Sequence, residues 1–135
     1  MPGRRRCART AWPWPTEVTW EDVRRLVLAL PGVVEGTGYG VPAFRVGGKV
    51  FANQPPNRKV ADEGRVLALH DVPLDERDEL IRNEPEVFFF TDHYRDYPMV
   101  LVRLPKITPD RLRPYLERSW RARAPKRLLR EVSGG

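Results

Sequence analysis

Ala43-Phe44-Arg45-Val46-Gly47-Gly48-Lys49-Val50-Phe51-Ala52 reads as two short strands joined by a pair of glycines. A two-residue hairpin turn needs positive φ at its centre, which glycine supplies without steric cost. Phe44 and Val46 alternate with Ala43 and Arg45, so the hairpin is expected to turn one face inward. A hairpin this tight, placed early in a chain of 135 residues, commits the fold to an antiparallel sheet.

Upstream of it, Thr19 stands where an N-cap would, with Glu21 and Asp22 in the following turn near the positive end of the helix dipole. Trp20, Val23, Leu26, Val27 and Leu30 recur at the spacing of one helix face, and Pro31-Gly32 ends the run. Val33 to Gln54 reads as strands punctuated by Gly36, Gly38 and Gly40. Those glycines do not form a phosphate-cradling loop, because Gly40 leads into Val41-Pro42 and a strand, not into a helix N-terminus. They read as bends at a sheet edge.

Downstream, Pro55-Pro56 marks a loop and Val66 to Leu69 a strand ending near His70. Pro73 and Asp75 introduce a helix to about Asn83, with Leu74, Leu80 and Ile81 expected inside. Val87 to Phe90 and Met99 to Leu104 are expected to pair as a hairpin. Thr108-Pro109 opens a last long helix that turns Leu112, Tyr115, Leu116 and Trp120 inward, and Lys126 to Glu131 forms one further short helical stretch. Short connections leave no room for βαβ crossovers. The fold class is therefore α+β: a two-layer, twisted, mainly antiparallel sheet of about five strands with helices packed on one face. One domain is expected over residues 18–131, with a flexible tail at 1–17 and a disordered C-terminus at 132–135.

Charge is segregated more than the net +6 suggests. Residues 1–18 hold 4 basic and 1 acidic group, residues 19–107 hold 12 and 14, and residues 108–135 hold 8 and 3. A near-neutral body with positive ends attracts polyanions. Cys7 is the single cysteine, which excludes an internal disulfide and a thiolate zinc site and fits a reducing, cytoplasmic setting. No apolar run approaches the roughly 20 residues a membrane helix needs.

Asp92-His93-Tyr94-Arg95-Asp96-Tyr97 is the densest group of reactive side chains. Neighbours on a loop rarely converge as catalysis requires, so these residues read as a cap on the hairpin. His70 and His93, far apart in sequence, do not make a metal motif. We assign no catalytic residue, metal ligand set or cofactor, and expect a protein that is not an enzyme.

On a helical wheel, Arg111, Arg118 and Arg121 lie opposite Leu112 and Leu116, with Lys126, Arg127 and Arg130 just beyond. Such a row can neutralise phosphates and release counterions; a solvated helix face explains the same pattern. Tyr94, Tyr97, Trp12 and Trp14 could stack on unpaired bases, but the sequence alone does not place aromatics together on a sheet.

Several stretches together resemble the MmcQ/YjbR family: Leu30-Pro31-Gly32-Val33 with Glu35, Tyr39 through Ala52, and Pro85-Glu86-Val87-Phe88-Phe89. His93-Tyr94 and Tyr97-Pro98 before Val100-Leu101-Val102-Arg103-Leu104 follow, then Trp120 with Ala124-Pro125-Lys126-Arg127-Leu128. The resemblance covers residues 19–130 and leaves the Gln54 to Glu63 loop as an unusual feature. It implies a frataxin-like (CyaY-like) or secretion-chaperone-like fold and DNA binding, and brings no catalytic residues.

The expectation that follows is low-specificity electrostatic binding of nucleic acid, DNA foremost, by a monomer or weak dimer away from any membrane. Arg118, Arg121, Lys126, Arg127 and Arg130 are its candidate phosphate contacts, with Lys49, Arg58 and Lys59 as a second patch. The alternative is an adaptor that meets a protein partner through the sheet face or a dimer interface. Iron binding would need an acidic ridge on the first helix, where Glu21 and Asp22 stand beside Arg24 and Arg25.

Overall fold

The computed structural model describes residues 18–133; the expectations for residues 1–17, 134 and 135 lie outside the described residues. Six strands form one sheet: β1 (Val34–Gly38), β2 (Val41–Val46), β3 (Lys49–Asn53), β4 (Val66–His70), β5 (Phe88–Phe89) and β6 (Met99–Arg103). Their order across the sheet is β1-β2-β3-β4-β6-β5, and every neighbouring pair is antiparallel. The helices are α1 (Trp20–Leu28), α2 (Arg58–Ala61), α3 (Leu74–Asn83), α4 (Pro109–Arg123) and α5 (Lys126–Ser133).

The expected hairpin is β2-β3. Val46 pairs with Lys49 across Gly47 and Gly48, whose φ values are +58° and +80°. Beyond the turn the register shifts: Arg45 faces Val50 but Phe44 faces Ala52. Phe51 is thus the extra residue of a β-bulge, and the kink lets the consecutive Phe51 and Ala52 enter the same core instead of opposite faces. Simple alternation therefore mispredicts the burial of this strand.

The main core lies between the sheet and α1 with α4. Val23 and Val27 of α1, Leu112, Leu116 and Trp120 of α4, and Phe44, Leu67, Leu69, Val100 and Val102 from the strands form it. Thr19 caps α1 in a reciprocal box with Asp22, its hydroxyl accepting from Asp22 N–H while the Asp22 carboxylate accepts from Thr19 N–H. Thr108 caps α4, with Pro109 in its first turn. Trp120 is fully buried, and its Nε1 donates to the Pro31 carbonyl at 3.0 Å, so α4 is tied to the turn that ends α1. An indole N–H buried there without a partner would cost about 1–3 kcal/mol. That turn also receives α5: Gly32, at φ +71°, lies so close to Leu128 that any Cβ would meet its Cδ1.

Two details differ from the sequence reading. Leu74 is 40% exposed, and the buried residue of α3 is Arg77, which only tertiary partners make tolerable. The segment after Pro55-Pro56 contains a short helix, α2. Its Val60 packs against Val66, Ala68, Met99 and Leu101 on the sheet face opposite the main core.

Candidate functional site

The strand pattern separates the two faces of the sheet. On β4, Leu67 and Leu69 enter the main core while Val66 and Ala68 enter the second cluster, and His70 continues the second row. On β6, Met99 and Leu101 share that second face, with His70 paired to Met99 and Ala68 to Leu101. Asn53, paired with Ala68, belongs there too. This face is only partly covered, by α2 and by the turn Asp92–Tyr94, and between these covers lie clefts.

The first cleft, about 400 Å³, is basic. α2 brings Lys59 to it; the Asn57 side chain caps this helix by accepting from Lys59 N–H and Val60 N–H. Arg65, Arg103 and Lys106 line the same space, with Asp62 as the one acidic neighbour. Arg65 is paired with Asp62 and Glu63. Arg103 is held differently: its Nη1 donates to the Pro85 and Glu86 carbonyls at 3.1 and 3.4 Å, and its guanidinium lies 4.0 Å from the centre of the Phe89 ring. Carbonyls and a π face fix the group without neutralising it. Among the described residues, Lys59, Arg103 and Lys106 have no carboxylate partner.

The second cleft, about 680 Å³, is lined by aromatic and polar groups, including Tyr39, His70, His93, Tyr94 and Tyr97. His93 meets Tyr94 edge-on at 4.7 Å between ring centres, and Tyr94 lies 6.3 Å from Tyr97. Arg77 reaches under this loop, donating to the Tyr94 and Tyr97 carbonyls, with its guanidinium 4.0 Å from the Phe90 ring centre. Burial, with Tyr39 nearby, pushes the Tyr94 hydroxyl above the usual tyrosine range. Asp71 and Arg123 form an ion pair at the rim. A third cleft, about 420 Å³, shares Val60 with the basic one and Pro56, His93 and Tyr94 with the aromatic one, so the three lie side by side along this face.

His70 is a partly buried titratable group of this site. Its Nε2 lies 2.6 Å from Asn53 Oδ1, while Asn53 Nδ2 donates to the Gln54 carbonyl. That second bond fixes the amide orientation, so His70 must donate from Nε2 and keep Nδ1 as an acceptor. Burial, then the positive charge of Arg123, holds its pKa below the ordinary histidine value, partly opposed by Asp71.

The eight cationic residues singled out in the sequence do not form one region. Arg118 is paired with Glu76 of α3, and Arg121 lies 4.0 Å from Glu117 one turn back. The rest of the α4 row is compensated likewise, Arg111 by Glu84, Arg113 by Asp110 and Arg123 by Asp71. Lys126, Arg127 and Arg130 are exposed on α5, which packs on the main-core side. Lys49 is exposed beside the hairpin turn, whose Gly47 abuts Pro125. Arg58 and Lys59 sit on α2, across the sheet from α5. The wheel predicted exposure correctly for part of the row, but a wheel contains no neighbouring element, and α3 with its flanking residues supplies Glu76, Glu84 and Asp71 to Arg118, Arg111 and Arg123. Missed in the sequence were Arg65, Arg103 and Lys106, hidden within the near-neutral central segment; strand alternation past Met99 and Leu101 was the signal for Arg103.

On α1 the acidic pair is consumed by neighbours: Glu21 bonds Arg24, and Asp22 serves the cap and faces Arg25. No cluster of three or more metal-ligating side chains occurs among the described residues. Nor is any helix among them long and apolar enough to cross a membrane.

An antiparallel sheet backed by α1 and α4, with its second face open in clefts, defines an α+β protein of the two-layer kind. The chain belongs to the YjbR family, which it matches over residues 28–122. It is 36% identical over 122 residues to uncharacterised proteins of Mycobacterium bovis and Mycobacterium tuberculosis, covering 82% of this chain and 92% of theirs. The crystal structure of a Deinococcus radiodurans protein with a DUF419 domain has the same fold, with a TM-score of 0.63 at 21% identity. That likeness covers 79% of this chain and 78% of the other.

Proposed function

We propose that this protein binds single-stranded nucleic acid along the second face of its sheet, with Lys59, Arg103 and Lys106 contacting phosphates. The observation that carries the reading is their convergence, without carboxylate partners among the described residues, on a cleft that lies along the same sheet face as an aromatic one. Cations that track a backbone beside rings that accept unstacked bases are the physical requirements for holding a single strand. The α4 row is a weaker phosphate surface, because each of its arginines would have to give up a carboxylate first. Lys126, Arg127 and Arg130 provide a separate, exposed cationic surface that suits non-specific contact with a duplex. The adaptor alternative needs a contiguous apolar patch; of the exposed large apolar side chains, Tyr39 and Tyr97 line the aromatic cleft, while Leu28, Val34 and Leu74 line none of the clefts described.

The test is fluorescence anisotropy with labelled single-stranded and duplex oligonucleotides over a salt series. Three phosphate contacts predict single-strand binding whose log K falls against log salt with a slope of about −2. No binding at low salt, or binding indifferent to salt, would overturn the proposal.

A further inference from the structure

We infer that the cleft bounded by Tyr39, His70 and the 91–98 loop receives a nucleobase, stacked against Tyr39 and donating an N–H to Nδ1 of His70. The inference rests on the proposed function for the origin of the base, but not for its fit to the cleft.

Three observations define the occupant. The cleft, at about 680 Å³, falls within the roughly 300–1,000 Å³ typical of small-molecule sites, and one wall is a packed cluster of three rings, His93, Tyr94 and Tyr97. Its charges are already matched: Arg123 is paired with Asp71, and Asp92 on the adjoining loop with Arg95. An anionic group gains little there, whereas a flat, uncharged ring does. Among the groups that line it is an acceptor, because Asn53 fixes the tautomer that leaves Nδ1 of His70 unprotonated, and no protein donor reaches that atom among the described residues. A flat neutral ring bearing N–H is the chemistry of a nucleobase.

Tyr39 supplies the remaining surface. It is 93% exposed at the β1-β2 turn and holds φ +55°, a left-handed conformation unfavourable for a bulky side chain. Asp71, which also lines the cleft, is likewise left-handed at φ +61°. Strained non-glycine residues of this kind recur at ligand sites, where the surrounding structure holds them in place. An exposed tyrosine carried on a left-handed turn beside the cleft offers a free ring face on which a base can stack.

Adenosine tests this separately from the phosphate reading, since it carries no phosphate for the basic cleft. NMR titration of the full chain should give saturable shifts confined to residues lining the aromatic cleft. Tyr39→Gly, which suits the left-handed turn and so should fold normally, should weaken binding on the order of tenfold, and Tyr39→Phe should not. Purine riboside, which lacks the 6-amino donor, should bind roughly threefold to tenfold more weakly than adenosine. A dA oligonucleotide that outbinds an abasic oligonucleotide of equal length, with the difference lost in Tyr39→Gly, assigns the base to a strand; equal binding of the two beside adenosine binding assigns the cleft to a free nucleoside. Absence of saturable adenosine shifts, or Tyr39→Gly binding like the parent chain, overturns the inference while leaving phosphate binding to stand or fall by its salt slope.

Discussion

Arg77 Nη1 on α3 donates to the Tyr94 carbonyl at 3.1 Å, and the same nitrogen reaches the Tyr97 carbonyl at 3.3 Å. With 4% of its surface exposed and Phe90 beneath its guanidinium, this arginine ties the 91–98 loop to the helix layer. Arg77→Ala should cost about 2–4 kcal/mol of stability, since it removes charge-assisted bonds to the loop and empties a buried position beside Phe90. Arg77→Lys should recover only part, because an ammonium cannot reproduce the planar contact. Denaturant midpoints check the energies, and amide exchange should quicken most between residues 91 and 98.

The two phosphate surfaces make opposite predictions. If the second face is used, Lys59→Ala and Lys106→Ala each reduce the magnitude of the single-strand salt slope by about 0.7, while Arg118→Ala changes little. Glu76→Gln frees Arg118 and raises affinity only if α4 touches nucleic acid. Anisotropy titrations of these four variants in one buffer distinguish the cases.

Stability should depend on pH through His70. Its folded pKa is depressed by burial, so below the ordinary value near 6.5 the unfolded chain binds the proton more readily than the folded one. The free energy of unfolding should therefore fall as pH drops from that value toward the lower folded pKa, with no contribution above it. Urea midpoints between about pH 5 and pH 8 should vary less in His70→Gln than in the parent chain. An unchanged pH dependence would remove His70 from this role.

The hairpin glycines should not tolerate alanine equally. Gly48→Ala carries only the left-handed backbone penalty, about 1–2 kcal/mol, because nothing lies within 4 Å of a Cβ there. Gly47→Ala adds a contact with Pro125 at 3.1 Å and should lose more. Thermal unfolding of the two variants measures the difference.

By itself, the sequence determined the order and type of most elements, α2 excepted, since Thr19, Pro31-Gly32, Gly47-Gly48 and Thr108-Pro109 act through local geometry within a few residues. It also determined the inward face of α1 and most of that of α4, because helical periodicity is a property of consecutive positions. Tertiary structure alone decided which charges remain free. Glu76 reaches Arg118 across 42 residues of chain, and Asp71 reaches Arg123 across 52, pairings that no wheel or charge tally contains. It alone also gathered Tyr39, Asn53, His70 and Tyr94 around one cleft, because sheet order and the β3 bulge place side chains from distant strands on a face that one-dimensional alternation cannot assign.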